Sequence, residues 1–195
     1  MLRIRSFYTA RAKIDFVTCE ALWHDYFKRP TDRIPDLVTR TTEEIRKYFF
    51  NCEWYEVYDF VEFVAHRPIW TSEQSAIQAF NEVLTDELSA YRFVAGKLAP
   101  VSSEQEKSAI ERAVSQTSDS FSPTSEHLRQ AVDLLARRPT PDYRNSIKES
   151  ISAVESLCAI ITGDPKATLG QALKTVDTQA KLHGALRSAF EKSYG

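Results

Sequence analysis

The stretch PDYRNSIKESISAVESLCAIITG, residues 141–163, decides the fold class of this chain. Pro141 and Asp142 are typical of a helix start, and Gly163 followed by Pro165 is typical of a helix end. Between them, apolar residues recur at steps of four, three, four and three, which is the period of one helix face: Ile147, Ile151, Val154, Cys158 and Ile161. The stretch predicts a helix of roughly twenty residues whose apolar face other helices must cover.

Further segments on both sides show the same helical period. They are expected to begin near Phe16, at Thr41 or Thr42, at Trp54, at Ser72, after Ser103, near His127 and at Thr168, with a last helix that carries Leu182, Leu186 and Phe190. Residues 91–101, YRFVAGKLAPV, are short and β-prone, so they predict a small hairpin or an extended connection. The serine-rich residues 115–125 predict a linker. Strand-like segments are scarce, so we expect an all-α protein.

Composition is that of an ordinary globular protein, with 43% hydrophobic and 27% charged residues in 195. The net charge of −2 gives no general attraction to DNA, RNA or anionic lipid. The three cysteines, Cys19, Cys52 and Cys158, are far apart, and no Cys/His ligand spacing predicts a metal site or a cofactor. No apolar run reaches the length of a membrane span. We expect a cytoplasmic protein of two helical units, residues 1–100 and 101–195.

The sharpest polar feature is the pair Arg144-Asn145 in the first turn of the long helix. Arginine could hold a phosphate and asparagine could orient it, which makes both residues candidates for a catalytic site. Alternatively, Arg144 pairs with a nearby carboxylate and Asn145 helps to cap the helix. Arg137 and Arg138, just before this helix, could contact the phosphates of RNA.

Two other sets of polar residues say less about function. The four histidines, His24, His66, His127 and His183, stand outside any ligand array, and we expect surface positions for them. His127 and His183 become candidates for chemistry only if they face Arg144. The acidic residues Glu53, Glu56, Asp59 and Glu62 recur every three residues, and we expect a solvated helix edge.

A resemblance to a known family rests on several of these segments. They are FFNCEWYEVYDFVEFV (49–64), FNEVLTDELSAYRFVAGKLAPVSSEQE (80–106), PDYRNSIKESISAVESLCAIITG (141–163), ATLGQALK and HGALRSAFEKSYG. Over roughly residues 22–195 the chain resembles bacterial proteins that carry an AbiJ-type N-terminal domain joined to, or overlapping, a HEPN-like helical unit. The resemblance implies a role in abortive infection, a form of phage defence.

The HEPN resemblance also implies a motif that can be compared with the residues. HEPN units are helical bundles, often dimeric, and many are metal-independent ribonucleases that use arginine, a polar residue, three variable residues and histidine. Here Arg144-Asn145 begins the pattern, but position 149 is glutamate. The positions five before each histidine hold no arginine: they are Cys19, Val61, Ser122 and Thr178. The chain therefore has no complete motif of this kind.

The end of the chain carries a further expectation. The resemblance implies that relatives continue beyond Gly195 into a closing helix, so the HEPN-like bundle is expected to be incomplete. A missing helix would leave the face of Ile147, Ile151 and Val154 partly uncovered. That face would then bind a second copy of the chain or a partner protein.

Three functions follow as hypotheses. The first is a non-enzymatic binding, sensing or remnant module of an abortive-infection protein. The second is a metal-independent ribonuclease that uses Arg144 with His127 or His183, brought close by the fold or by a dimer partner. The third is a helical scaffold for protein interactions. RNA stays open as a partner, whereas a membrane and DNA are not expected.

Overall fold

The computed structural model describes residues 16–34, 38–68, 70, 72–117 and 122–180. The chain divides into two compact units, Met1–Ser102 and Ser103–Gly195, and each is described by itself. The described residues are mostly helical and contain one two-stranded sheet, so the all-α prediction is confirmed. The helix predicted around Leu182, Leu186 and Phe190 lies outside the described residues.

The first unit consists of short helices and a hairpin. In chain order they are α1 (Phe16–Ala21), which continues as a π-helical turn (Leu22–Tyr26), a 3-10 turn (Thr31–Arg33), α2 (Val38–Asn51), α3 (Trp54–Ala65), α4 (Glu73–Asp86), β1 (Arg92–Val94) and β2 (Lys97–Ala99). Ser72 caps α4 as predicted, because its side chain accepts a hydrogen bond from the Ser75 amide. The predicted helix start at Thr41 or Thr42 is wrong, since α2 begins at Val38 and Thr41 is buried inside it.

The core of the first unit lies where α3, α4 and the hairpin meet. Its buried side chains include Val57, Val61, Phe80, Leu84, Phe93 and Leu98. The hairpin predicted for residues 91–101 is confirmed, with antiparallel strands in which Phe93 pairs with Leu98. Its turn uses two residues with positive φ, Ala95 and Gly96, which suits a two-residue connection.

Two side chains complete the hydrogen bonding of this hairpin. The amide of Asn81 on α4 accepts from the Phe93 N–H at 2.8 Å and donates to the Phe93 carbonyl at 3.3 Å. On the other strand, the Glu62 carboxylate accepts from the Leu98 N–H at 2.8 Å. A two-stranded hairpin is marginal alone in water, so these contacts and the buried core hold it in place. The expectation of a fully solvated acidic edge is therefore wrong at Glu62.

The second unit contains four described helices: α5 (Glu104–Thr117), α6 (Ser122–Leu135), α7 (Tyr143–Thr162) and α8 (Leu169–Ala180). Helix α7 has the predicted ends, because the Asp142 side chain accepts from the Asn145 amide and Gly163 adopts a left-handed φ of 71°. The predicted linker at 115–125 is wrong for most of its length. Residues 115–117 belong to α5 and 122–125 to α6, while 118–121 lie outside the described residues.

Helices α6 and α7 pack through small residues. The Ser146 hydroxyl donates to the Ala131 carbonyl at 2.8 Å, and the Thr124 hydroxyl donates to Ser156 at 3.3 Å. Ala153 is buried between these contacts along α7. Small side chains let two helices approach closely, and their hydroxyl groups find partners in the contact. None of the helices in the described ranges has the length and apolarity that crossing a membrane requires.

Candidate functional site

Helix α7 exposes an apolar face over the first half of its length. Ile147, Ile151 and Val154 have exposed fractions of 60%, 44% and 40%. The face opens onto a groove of about 840 Å³, whose other wall is the segment 165–170. Large apolar residues that share one open surface are the usual sign of a contact surface for another molecule.

This exposure results from the sides of α7 on which the neighbouring helices pack. Helix α6 packs on the side of Ser146 and Ala153, and the beginning of α8 packs against the second half of the apolar stripe. There Cys158 is buried with Ala167 and Ala172. The expectation that other helices cover the whole stripe is therefore wrong for its first half.

Asn145 and Arg137 meet at the Asp142 carboxylate. The Asn145 side chain donates to Asp142 Oδ2 at 2.8 Å, its backbone N–H donates to Oδ1 at 3.2 Å, and Arg137 Nη1 lies 3.4 Å from Oδ2. The hydrogen bonds from Asn145, together with the nearby charge of Arg137, hold the pKa of Asp142 below its usual value. This is the capping arrangement that the sequence left open for Asn145, and its catalytic role stays a prediction.

Arg144 is exposed, and helix geometry places it beside the apolar face. A residue advances about 100° around an α-helix, so Arg144 lies within roughly 60° of Ile147 and 20° of Ile151. The carboxylate nearest to it in sequence, Asp142, already accepts hydrogen bonds from Asn145. Arg144 therefore places a positive charge at the N-terminal end of the apolar face.

Glu149 occupies the position at which the ribonuclease pattern requires histidine, and the structure gives it a partner. His127 Nδ1 on α6 lies 2.7 Å from Glu149 Oε2. Glu149 sits on the side of α7 that faces α6, about 140° around the helix from Arg144. The fold thus brings His127 to α7, but on a different side of the helix from Arg144. Sequence spacing could not reveal this pair, because its members come from different helices.

The remaining candidate residues are placed as follows. Arg138 is half-buried and takes part in an interaction of its own, and its contact with RNA stays a prediction, as does that of Arg137. His24 contacts Asp25, His66 lies between Glu73 and the Gly96 carbonyl, and His183 is outside the described residues. The two described histidines of the first unit therefore tie local structure together.

Metal and thiol chemistry find little support in the described part of the chain. Within it, no three His, Cys, Asp or Glu side chains gather in a way that could hold a metal ion. Burial raises the pKa of the Cys158 and Cys52 thiols, which keeps both in the less reactive neutral form. The described site is therefore an apolar face with a rim of charged residues.

Comparison with known proteins identifies a family for this chain. The family model described as AbiJ N-terminal domain 4 matches residues 3–116, which is more than half of the chain. The match includes the N-terminal residues that the sequence resemblance left out, and it ends within α5, before the face on α7. No curated protein and no solved structure gave a significant match. The chain belongs to the AbiJ N-terminal domain 4 family, which is related to abortive infection.

Proposed function

We propose that this chain is a protein-binding module in abortive infection and that it does not cleave RNA by itself. Its contact surface is the exposed side of α7 formed by Ile147, Ile151 and Val154, which is called the α7 face below. The exposure of these three side chains beside a groove is the observation that carries the proposal. Folding gains little from apolar groups left in water, whereas association gains from covering them.

The partner that we propose for the α7 face is a second copy of this chain. The resemblance to HEPN-like units, which are often dimeric, supports this choice. Arg144, Glu155 and Lys166 place both signs of charge around the face. Mixed charges allow two identical surfaces related by a two-fold axis to complement each other.

Sedimentation velocity over a range of protein concentrations tests this contact. We expect the wild-type chain to self-associate and the Ile151→Glu variant to remain monomeric, because a buried carboxylate without a partner opposes association. Ile160→Glu is the matched control. Ile160 lies on the same helix with a similar exposed fraction, 42%, but does not line the groove.

The outcome separates the proposal from its alternatives. If Ile151→Glu and Ile160→Glu weaken association equally, the α7 face is not the contact. If the wild-type chain is monomeric, the partner is a different protein. A cross-linking photoreactive residue at position 147 would then capture that protein in cells under phage attack. A chain that neither associates nor cross-links to any protein there would refute the binding function.

The His127–Glu149 pair favours a second candidate, a metal-independent ribonuclease. A carboxylate that contacts Nδ1 fixes the imidazole and leaves Nε2 as the nitrogen for proton transfer. Against this, Arg144 lies about 140° away on α7, so one chain does not present both groups on one side. A shared site would need Arg144 from one copy and His127 from another.

RNA cleavage in the presence of EDTA distinguishes the two candidates. The binding function predicts that purified protein leaves tRNA and mRNA intact. The ribonuclease function predicts cleavage that is lost in both Arg144→Ala and His127→Ala and retained in His24→Ala, which changes an exposed histidine of the first unit.

A further inference from the structure

Helix α4 ends in a motif that normally uses glycine, but this chain uses Leu88. The Ser89 N–H donates to the Leu84 carbonyl at 2.9 Å, and the Leu88 N–H donates to the Thr85 carbonyl at 3.0 Å. These two bonds define a Schellman ending, in which the residue after the C-cap adopts left-handed φ. Leu88 has φ 52°, a region that disfavours residues with a Cβ atom and favours glycine.

Leu88 also contributes little to the core. Its exposed fraction is 90%, the largest among the exposed apolar residues of the described chain. A side chain that is strained at the backbone and projects into water serves folding worse than glycine would. Leu88 is therefore better explained by a contact with another molecule than by a contribution to folding, and the surface around it is a candidate binding surface.

An aromatic cluster lies against Ser89, the residue that follows Leu88. The Tyr58 hydroxyl lies 2.9 Å from Ser89 Oγ, so the segment after Leu88 rests on α3. Tyr91 stacks on Tyr58 with ring centroids 4.4 Å apart, and Trp54 lies 6.1 Å from Tyr91. Trp54 is 48% exposed, so this cluster continues to the surface. Tryptophan and tyrosine are the residues that most often dominate the affinity of protein contacts.

The charges next to this cluster are acidic. Glu53, whose carboxylate also caps α3, directly precedes Trp54, and Asp86 lies two residues before Leu88 at the negative end of the α4 dipole. The nearest cation in sequence is Arg92, but its side chain is buried and donates to the carbonyls of Ser89 and Tyr91. An aromatic face with an acidic rim suits the guanidinium or ammonium group of a partner, through cation–π contact and charge attraction.

We propose that Leu88, Trp54 and Tyr91 form a docking surface for a basic segment of another protein, one that carries arginine or lysine next to an apolar side chain. The surface lies in the first unit and within the family match, whereas the α7 face belongs to the second unit. The exposed side chains of Leu88 and Trp54 select the apolar part of this partner, and the acidic rim selects its cation.

Fluorescence anisotropy tests the proposal with the full chain and a short labelled peptide of alternating arginine and leucine. We expect the wild-type chain to bind it, with affinity that falls as salt rises. We expect Leu88→Gly and Trp54→Ala each to weaken binding by about tenfold or more. Ile160→Ala, which removes an exposed apolar residue from α7, should bind like the wild type.

Two further measurements make the result decisive. Thermal unfolding of Leu88→Gly should have a midpoint equal to or above that of the wild type, which separates lost binding from lost folding. A peptide with glutamate in place of arginine should not bind. The proposal is wrong if the wild type ignores the arginine peptide, if it binds the glutamate peptide equally well, or if Leu88→Gly binds normally. It is also wrong if Leu88→Gly instead dissociates a dimer of the wild-type chain.

Discussion

Replacing Asn81 with alanine should destabilise the first unit, because the Asn81 side chain binds the backbone of strand β1. The Asn81 amide makes both a donor and an acceptor contact with the Phe93 backbone, and Phe93 is fully buried. The Phe93 and Leu98 N–H groups both point away from the opposite strand, since their partners are the Asn81 and Glu62 side chains. The hairpin itself cannot satisfy the groups that Asn81→Ala would leave unpaired.

The expected loss follows from those two groups. A buried donor or acceptor without a partner costs about 1–3 kcal/mol, and the half-buried position of Asn81 allows some access to water. We therefore expect a loss of about 2–4 kcal/mol in the free energy of unfolding. A domain of ordinary stability has about 5–15 kcal/mol, so the variant should still fold.

Urea unfolding followed by tryptophan fluorescence measures the loss, and hydrogen exchange locates it at the Phe93 amide. Asn51→Ala is the matched control, because the Asn51 side chain donates to the Lys47 carbonyl at the exposed end of α2. Its effect should stay within about 0.5 kcal/mol. Equal urea midpoints for the two variants, or unchanged exchange at Phe93, would refute the role assigned to Asn81.

Three further predictions concern single residues. Because the pKa of Asp142 is lowered in the folded state, its contribution to stability is present above the ordinary value of 3.8 and is lost as pH falls below it. Urea midpoints at pH 7 and pH 3 should therefore differ more in the wild type than in Asp142→Asn. Leu88→Gly should raise the free energy of unfolding by up to about 1 kcal/mol, since relief of left-handed strain outweighs the greater freedom of glycine in the unfolded chain; urea unfolding measures this. Because burial raises the pKa of the Cys52 and Cys158 thiols, both should react with iodoacetamide more slowly in the native than in the unfolded protein at pH 7.5, as followed by mass spectrometry.

Local signals predicted the ends of α7 and the position of the hairpin. Asp142 and Gly163 bound α7 as expected, because a capping carboxylate and a left-handed glycine act within one turn of the chain. The hairpin was predictable for the same reason, since Ala95-Gly96 supplies a tight turn between two β-prone segments. These features depend on neighbours in sequence, and sequence shows such neighbours directly.

Contacts between distant segments were not predictable in this way. The period of apolar residues implied that the isoleucine side of α7 would be buried, yet α6 packs on Ser146 and Ala153 instead. Shape decides that choice, because small residues allow close approach. Leu88 shows the same limit. Leu88 lies four residues after Leu84, a spacing that predicts the same helix face. Because the helix ends at Asp86, the Leu88 side chain projects into solvent instead.

Glu149 is the residue on which the two candidate functions depend. A histidine in its place would complete the ribonuclease pattern, but it would remove the carboxylate that joins α7 to His127 on α6. Glu149 and Ile151 lie about 160° apart around α7, so the side that holds the unit together and the side proposed to bind a partner are almost opposite. Substitutions on the two sides of α7 should therefore have different effects. Glu149→Gln should alter the α6–α7 contact and leave association intact, whereas Ile151→Glu should do the reverse. If either substitution alone altered both the α6–α7 contact and the association, the two sides of α7 would belong to one site.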